Sequence, residues 1–387
     1  MVSDEKKSMD LDSYFEKLNR KPIVACSIED HEFYYDVISN LFLFSGLGNC
    51  LFCNAFIQES VQLIKNSLML YEEGFFDSAF YSLRQAVEIM NSMLMCSIDD
   101  SKYQNWKSKA WFPLDGKVKE ALEQSCSNYS EIKNAIPEFF DQFDIILKQA
   151  NKYIHKQGFD TFYSFIDIKG RYEKRKKARD DLYVSFLKYC IGMVLFLYIA
   201  LDPLSLVATD EVVQYYIPFD YITEPIPVSF FEEAFSTDYV EKIKETQFYT
   251  SFKEYFLSME ELKPATYALI HWQHYDLEHL SDIRSQVYLI SPAEQRILTI
   301  LEKGIKASRF YPEEYILGYF TSIASKAQYN GFSSNQFDEY LKEPFRTNIT
   351  WRGVYISLFH MPNGYLIIEH NDPFSDSEVV TIEDCLK

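Results

Sequence analysis

The stretch from Pro137 to Gly158 is the feature that most constrains the fold, because it predicts a long amphipathic helix. Pro137 suits the first helical turn, where its missing N–H costs nothing, and Gly158 suits the C-terminal end. The apolar residues between them recur at three- and four-residue spacing: Phe139, Phe140, Phe143, Ile146, Leu147, Ala150, Tyr153 and Ile154. This spacing places them on one stripe of a helix over about 137–156, with that stripe facing a core.

A polar ladder runs beside this stripe, about 100° around the predicted helix. Its members are Asp144, Lys148, Asn151 and His155. A ladder in that position lies at the boundary between core and solvent, so we expect His155 to lie in a groove without being fully buried.

Two earlier segments predict an antiparallel pair of helices. Apolar residues follow a helical stripe from Ala55 to Tyr71 and again from about Phe76 to Met95, and Glu72-Glu73-Gly74 separates the two segments. Two long amphipathic helices joined by a short glycine-containing turn form an αα-hairpin.

The next segments differ in polarity. Residues 97–136 are polar and predict one helix in an otherwise irregular excursion, whereas residues of about 180–201 predict an apolar core helix. Its apolar run is shorter than the roughly 20 residues that span a bilayer, so no membrane association is expected.

The pattern changes after Pro203. Helical stretches are predicted at about 229–262, 264–284 and 312–329, and Ser291-Pro292 suits a helix start. The tail alternates in polarity over 348–359 and 365–369 around a turn at 362–364, which predicts a β-hairpin. Trp351 has the opposite parity to Val354, Ile356 and Leu358, so either both faces of the hairpin are covered or a bulge lies near Gly353.

These segments predict a mainly α protein, an N-terminal helical bundle followed by a C-terminal α+β region that ends in a β-hairpin. The expected domains are a partly disordered N-terminus at 1–24, a bundle at 25–204 and an α+β domain at 205–387. At 387 residues the chain is long enough for two cores, and 47% hydrophobic and 17% aromatic residues are ample to fill them.

The composition also restricts the function. A formal net charge of −19 makes non-specific binding of the whole molecule to nucleic acid or to anionic membrane unfavourable. The seven dispersed cysteines predict reduced thiols, and residues 1–15 show no apolar signal segment, so a cytoplasmic location is expected. The chain contains no Walker loop, dinucleotide fingerprint or nucleophile elbow, and no cofactor is expected.

Residues of about 55–200 resemble the HEPN superfamily. The resemblance is carried by the bundle pattern and by two segments, Phe75-Phe76-Asp77-Ser78-Ala79-Phe80-Tyr81-Ser82-Leu83-Arg84 and Asn151-Lys152-Tyr153-Ile154-His155. HEPN bundles are common in prokaryotic toxin–antitoxin and antiviral defence systems and in RNA processing. The resemblance implies a helical bundle that forms a homodimer and contacts RNA or another protein.

The resemblance also implies a site. HEPN ribonucleases carry an arginine, then a polar residue, and a histidine a few positions on; the arginine and histidine, paired across a dimer, cleave RNA without metal. Here Asn151 and His155 match the polar residue and the histidine, but Ala150 stands at the arginine position. Two functions follow: a catalytically degenerate binding or regulatory protein, or a metal-independent ribonuclease that uses His155. A structural histidine at a helix C-terminus is the third interpretation.

A ribonuclease would need another cation to position the phosphate, and Arg84 is the best candidate. Glu88 lies four residues further on and would pair with it along one helix face, which is also what an ordinary salt bridge looks like. The candidate catalytic residues are therefore His155, Asn151, Arg84 and Glu88.

One dense basic run on this acidic chain is a candidate RNA-binding patch. The candidate RNA-binding residues are Lys152, Arg171, Lys174, Arg175, Lys176, Lys177 and Arg179. A solvated helix face is the alternative interpretation. His271, His274 and His279 resemble loose metal ligands, but their spacing matches no metal motif, and no metal site is predicted.

Overall fold

The structure is a computed structural model that describes residues 28–39, 41, 52–110, 112–154, 171–219, 225–312, 318–328, 346–361 and 364–387. The predicted disordered segment 1–24 lies outside these residues. The chain forms two compact units, one of residues 1–209 and 222–253 and the other of residues 210–221 and 254–387. The predicted fold class is confirmed, since the protein is mainly α with an α+β C-terminal region.

The first unit is helical throughout the residues that the structure describes. Its helices are α1 (His31–Ser39), α2 (Cys53–Glu72), α3 (Phe76–Ile98), α4 (Asp100–Lys107), α5 (Asp115–Ser125), α6 (Ser127–Ala135), α7 (Pro137–Lys152), α8 (Arg171–Leu201), α9 (Leu204–Val207), α10 (Val228–Phe235) and α11 (Tyr239–Lys244). The expectation of one helix between residues 97 and 136 was wrong, because this region forms α4, α5 and α6. A few buried apolar residues anchor the largely polar helices α5 and α6, such as Val118 and Leu122 of α5 and Ile132 of α6.

Helices α2 and α3 form the predicted antiparallel hairpin. The hydroxyl of Ser60 donates to the carbonyl of Ala86, and the hydroxyl of Ser67 donates to the carbonyl of Ala79. Residue numbers therefore increase along α2 where they decrease along α3, so the two helices are antiparallel. Gly74, with a φ of +82°, makes the turn between them in a backbone conformation that favours glycine.

Helix α8 is the central element of the first unit. Its Tyr183 stacks on Tyr71 of α2 with ring centroids 3.7 Å apart, and Phe196 meets Phe139 of α7 edge-on at 4.8 Å. Gly192 allows this close approach, because a Cβ at that position would lie 3.0 Å from the Phe139 ring. Helix α7, which is the described part of the helix predicted at 137–156, and the α2–α3 hairpin thus both pack against α8.

Part of α8, Lys176–Leu201, is long and apolar enough to cross a membrane by length and composition alone. The core helices of bundles can be equally long and apolar, and 72% of the most apolar 18-residue stretch of this helix is buried within the protein.

The second unit combines short helices with a sheet. Its elements are a 3₁₀ turn (Val213–Tyr216), α13 (Pro264–Trp272), β1 (His274–Tyr275), α14 (Leu280–Ser285), α15 (Pro292–Glu302), β2 (Arg309–Pro312), β3 (Tyr319–Thr321), β4 (Ile349–Trp351), β5 (Val354–Met361), β6 (Gly364–His370) and α16 (Asp376–Leu386); α12 (Gln247–Leu257) spans the boundary between the units. Three predicted helical stretches were inaccurate: 229–262 is three helices, 264–284 is interrupted by β1, and the predicted helix at 312–329 was wrong because its described residues include β3.

Among the described residues, six strands form one mixed sheet in the order β1-β3-β2-β6-β5-β4. Strands β1 and β3 are parallel, and the other neighbours are antiparallel. One face packs against α13, α15 and α16 around Phe310, Phe359 and Ile368. The opposite face carries a smaller cluster of Ile356, Leu358 and Ile367.

The parity conflict at Trp351 is resolved by a turn, and the predicted single strand over 348–359 was wrong. Arg352 and Gly353 have φ angles of +44° and +90° and connect β4 to β5 as a two-residue hairpin. Trp351 therefore pairs with Val354 on the same face. The hairpin formed by β5 and β6 is covered on both faces, which was the first of the two predicted alternatives.

Candidate functional site

Three of the predicted catalytic residues lie together in the first unit. The Nε of Arg84 donates to Glu88 Oε1 at 2.6 Å, and its Nη1 donates to Asn151 Oδ1 at 3.2 Å. The predicted pairing of Arg84 with Glu88 along α3 is therefore present. The side chains of Arg84 and Glu88 are 25% and 23% exposed, so the cluster lies at the edge of the core and within reach of solvent.

The path of α7 explains why Asn151 reaches Arg84. Asn91 of α3 donates to Asp115 of α5 at 2.8 Å, and Lys119 of α5 lies over the ring of Phe143 at 5.3 Å. Phe143 thus lies near the Asn91 end of α3, whereas Asn151 lies near Arg84. Helix α7 is therefore antiparallel to α3, and Asn151 of the predicted polar ladder is brought to α3.

The ladder residues differ in exposure along α7. Asp144 and Lys148 are exposed, and Asn151 is half-buried. Ala150, at the position where the HEPN arginine would stand, is fully buried on the apolar stripe. His155 and its predicted groove lie outside the residues that the structure describes, so the site comprises Arg84, Glu88 and Asn151.

The predicted RNA-binding patch is only partly described. Lys152 and Lys177 are exposed, and Lys176 is half-buried. Arg171, Lys174 and Arg175 belong to the first turns of α8, but their side chains lie outside the described part of the chain.

Arg179 was wrongly assigned to this patch, because its side chain is 3% exposed. Its guanidinium lies 3.8 Å from the centroid of the Phe76 ring and donates to Asp180 Oδ1 and to the Tyr71 hydroxyl. Arg179 is one helical turn before the buried Tyr183, so the helical period carries it into the core. It is a core residue that joins α8 to the α2–α3 hairpin.

Electrostatics supports this structural role. Burial alone would lower the pKa of Arg179, but Tyr71 and Asp180 outweigh it and leave the pKa raised. Burial, followed by the hydrogen bond to Asp180, raises the pKa of Tyr71 well above its ordinary value. Arg179 is therefore charged and Tyr71 neutral at neutral pH.

The histidines of the second unit do not converge. His271 Nε2 lies 3.1 Å from the carbonyl oxygen of Ile217, and burial lowers the pKa of His271. His279 Nδ1 lies 2.7 Å from Asp276 Oδ2, and this hydrogen bond raises the pKa of His279. No group of three or more side chains with metal-ligand chemistry is found among the described residues.

One buried polar pair in the second unit was not predicted from the sequence. Ser357 Oγ lies 2.9 Å from His370 Nε2, and His370 Nδ1 lies 2.7 Å from the carbonyl oxygen of Asp372. This carbonyl can only accept, so Nδ1 carries the proton and Ser357 donates to Nε2. A serine nucleophile and its base share this arrangement, but here both residues are completely buried and no G-x-S-x-G signature surrounds Ser357. The pair links β5 to the last residue of β6.

Comparison with known proteins adds no assignment to this geometry. The chain matches no protein-family model, no curated protein and no solved structure.

Proposed function

We propose that the helical bundle at 25–204 is a HEPN-like binding or regulatory module that is catalytically degenerate. In this proposal it mediates dimerisation or contact with a protein or RNA partner in a prokaryotic defence or stress system, where bundles of this kind are common. The single observation that carries the proposal is the burial of Ala150.

Ala150 occupies the position of the arginine in the HEPN motif, and its side chain is fully buried. An arginine there would have to take a guanidinium into the core without a partner, which is strongly unfavourable. The helix face that carries this position is therefore used for packing. A ribonuclease would need its anion-binding group elsewhere.

Arg84 is a cation that contacts Asn151 next to this position, and its geometry favours a positioning role. Its guanidinium is engaged by the Glu88 carboxylate at 2.6 Å and by the Asn151 amide oxygen at 3.2 Å. The Glu88 carboxylate offsets the positive charge of Arg84 and so weakens its attraction for a phosphate. The cluster holds the end of α7 on α3 and leaves a half-exposed polar surface suited to a partner.

One observation favours the alternative function, a metal-independent endoribonuclease that uses His155. Asn151 touches Arg84 and lies four residues before His155 in the sequence. An arginine, an amide and a histidine are the group types that acid–base cleavage of RNA uses, and here the arginine would have to leave Glu88 for a phosphate.

Incubation of the purified protein with total RNA, with and without EDTA, separates the two functions. A degenerate module predicts no cleavage in either case, together with a discrete dimer or partner complex in size-exclusion chromatography with light scattering. Metal-independent cleavage that is lost in His155→Ala and retained in His279→Ala would establish the ribonuclease instead. His279 is the matched control, because it is an exposed histidine of the second unit. A strictly monomeric protein with neither activity nor partner would refute both functions.

A further inference from the structure

Helix α4 and the turn that follows it carry an unusual local composition. Asp99 and Asp100 begin α4, but residues 101–114 after them contain three lysines and no aspartate or glutamate, in a chain whose formal net charge is −19. Lys107 and Lys109 are exposed, and neither forms an ion pair with a carboxylate in the part of the chain that the structure describes. The C-terminal end of α4 and the turn after it, which carry Lys107 and Lys109, are therefore locally positive on an acidic protein.

Two aromatic rings lie on the same helix. Tyr103 and Trp106 are three residues apart on α4, so they share one face, and their rings are nearly parallel, at 20°, with centroids 6.1 Å apart. Trp106 remains 38% exposed. Lys107 Nζ lies 5.9 Å from the centroid of the Tyr103 ring, which brings the charge close to the rings.

The rings of Tyr103 and Trp106 pack against two phenylalanines, Phe52, which precedes α2, and Phe56 of α2. Tyr103 packs on Phe52 and Trp106 packs on Phe56, with centroids 4.3 Å apart in both pairs. Phe56 is buried in the bundle core, so the orientation of Trp106 is fixed by the core. A rigid ring presented in this way loses little conformational entropy when a second ring stacks on it.

We propose that α4 and the turn after it form a platform for single-stranded nucleic acid, in which unpaired bases stack on Trp106 and Tyr103 while Lys107 and Lys109 contact the phosphates. Exposed aromatic rings beside lysines are the combination by which proteins bind single strands without sequence preference. Charge complementarity selects a polyanion, and the flat rings select one with unpaired bases.

An anionic membrane is the other polyanionic surface to consider, and α4 does not fit it. A membrane-bound helix needs a continuous apolar face. Helix α4 instead exposes the polar residues Gln104 and Asn105 beside Trp106, and it buries no residue completely. This platform is separate from the cluster of Arg84, Glu88 and Asn151, and the proposal does not depend on the bundle being HEPN-like.

Fluorescence anisotropy with labelled RNA and DNA oligomers of about 15 nucleotides tests the platform in the full chain. We expect saturable binding to unpaired adenine-rich oligomers, with weaker binding to a duplex or to an abasic oligomer of the same length. Trp106→Ala should weaken binding about tenfold, the scale of one lost base–aromatic stack. The double variant Lys107→Gln/Lys109→Gln should lower the slope of affinity against salt by about 1.4, because each phosphate contact to a single strand contributes about 0.7.

The matched controls lie in the second unit. Trp272→Ala removes another exposed tryptophan, and Lys326→Gln/Lys387→Gln removes the same number of exposed lysine charges. Both controls should bind like the wild type. Because Trp106 packs on Phe56, its variant is first checked by circular dichroism, and the exposed lysine pair keeps the test decisive if Trp106→Ala is misfolded. No saturable binding, equal losses in the controls, or binding to anionic vesicles alone would overturn the proposal.

Discussion

Arg84 and Asn151 are 67 residues apart in the sequence and are joined by a hydrogen bond of 3.2 Å between α3 and α7. The same arginine donates to Glu88 one turn further along α3. One side chain therefore connects a local ion pair to a long-range contact. This connection fixes where the C-terminal end of α7 lies on the bundle.

The Arg84 connection is measurable as a coupling free energy. Arg84→Ala and Asn151→Ala should each lower the free energy of unfolding by about 1 kcal/mol, since each removes a half-buried hydrogen bond and the ion pair with Glu88 is partly screened by water. A double-mutant cycle in urea should give a coupling of roughly 0.5–1 kcal/mol. Lys117→Ala, which breaks a pair that is 70% and 63% exposed, is the control and should change little. Strict additivity of the two substitutions would contradict the contact.

The core prediction compares neighbouring buried and exposed residues. Leu83 and Phe143 are 0% and 1% exposed, so Leu83→Ala and Phe143→Ala should each cost about 2–5 kcal/mol in the urea-derived free energy of unfolding. Tyr81 and Ile145, which are 53% and 48% exposed, provide controls on the same helices. Their alanine variants should stay within about 0.5 kcal/mol of the wild type. Equal effects at buried and exposed positions would mean that α3 and α7 face the core differently.

Arg179 gives a prediction that separates a core cation from an RNA-binding one. Arg179→Ala should lower the free energy of unfolding by about 2–4 kcal/mol, because it removes the packing on Phe76 and leaves the buried Tyr71 hydroxyl without a donor. Lys177→Ala, at an exposed position two residues earlier, should leave stability unchanged. Thermal and urea unfolding measure both. A stable Arg179→Ala protein with a specific loss of RNA affinity would restore the surface interpretation.

Turns and helix starts could be predicted from the sequence, because they are determined by residues close together in the chain. Gly74 marks the turn after Glu72. Ser291, at the start of α15, forms a complete capping box with Glu294. The same box, Ser375 with Glu378, begins the C-terminal helix α16, which was not predicted although this signal is present in the sequence. Such signals work because the groups that satisfy the backbone lie within four residues.

Long-range pairing explains most of what the sequence did not reveal. Residues 312–329 carry apolar residues at helical spacing, but Tyr319 pairs with Phe310 across β2 and β3, and this contact decides the local structure. The candidate site also combines a local contact that could be predicted with a long-range contact that could not. The pairing of Arg84 with Glu88 was predicted from spacing, whereas the contact with Asn151 depends on the antiparallel arrangement of α3 and α7. The burial of Arg179 follows from its helical spacing to the buried Tyr183, whereas its charge alone predicts exposure.

His370 makes the stability of the second unit depend on pH. Ser357 donates to its Nε2, the ring stacks on Phe374 with centroids 3.6 Å apart, and Asn348 bonds to both Ser357 and Phe374. Burial lowers the pKa of His370 from the ordinary value of 6.5. The carbonyl of Asp372 and the carboxylates of Glu378, Glu369 and Asp372 oppose the shift without reversing it.

The sign of this pH dependence follows from proton binding. In the pH range between the lowered folded pKa and 6.5, the unfolded chain binds more protons at His370 than the folded chain does. The stabilisation is therefore complete above about pH 6.5 and decreases as the pH falls below it. Hydrogen exchange of peptides from β5, β6 and α16 should accordingly show more opening at pH 5.5 than at pH 7.5, after correction for the intrinsic exchange rate. His370→Gln should remove this difference, and His360→Gln, at an exposed position of β5, should retain it. An unchanged pH difference in His370→Gln would assign the effect to the carboxylates of the unit.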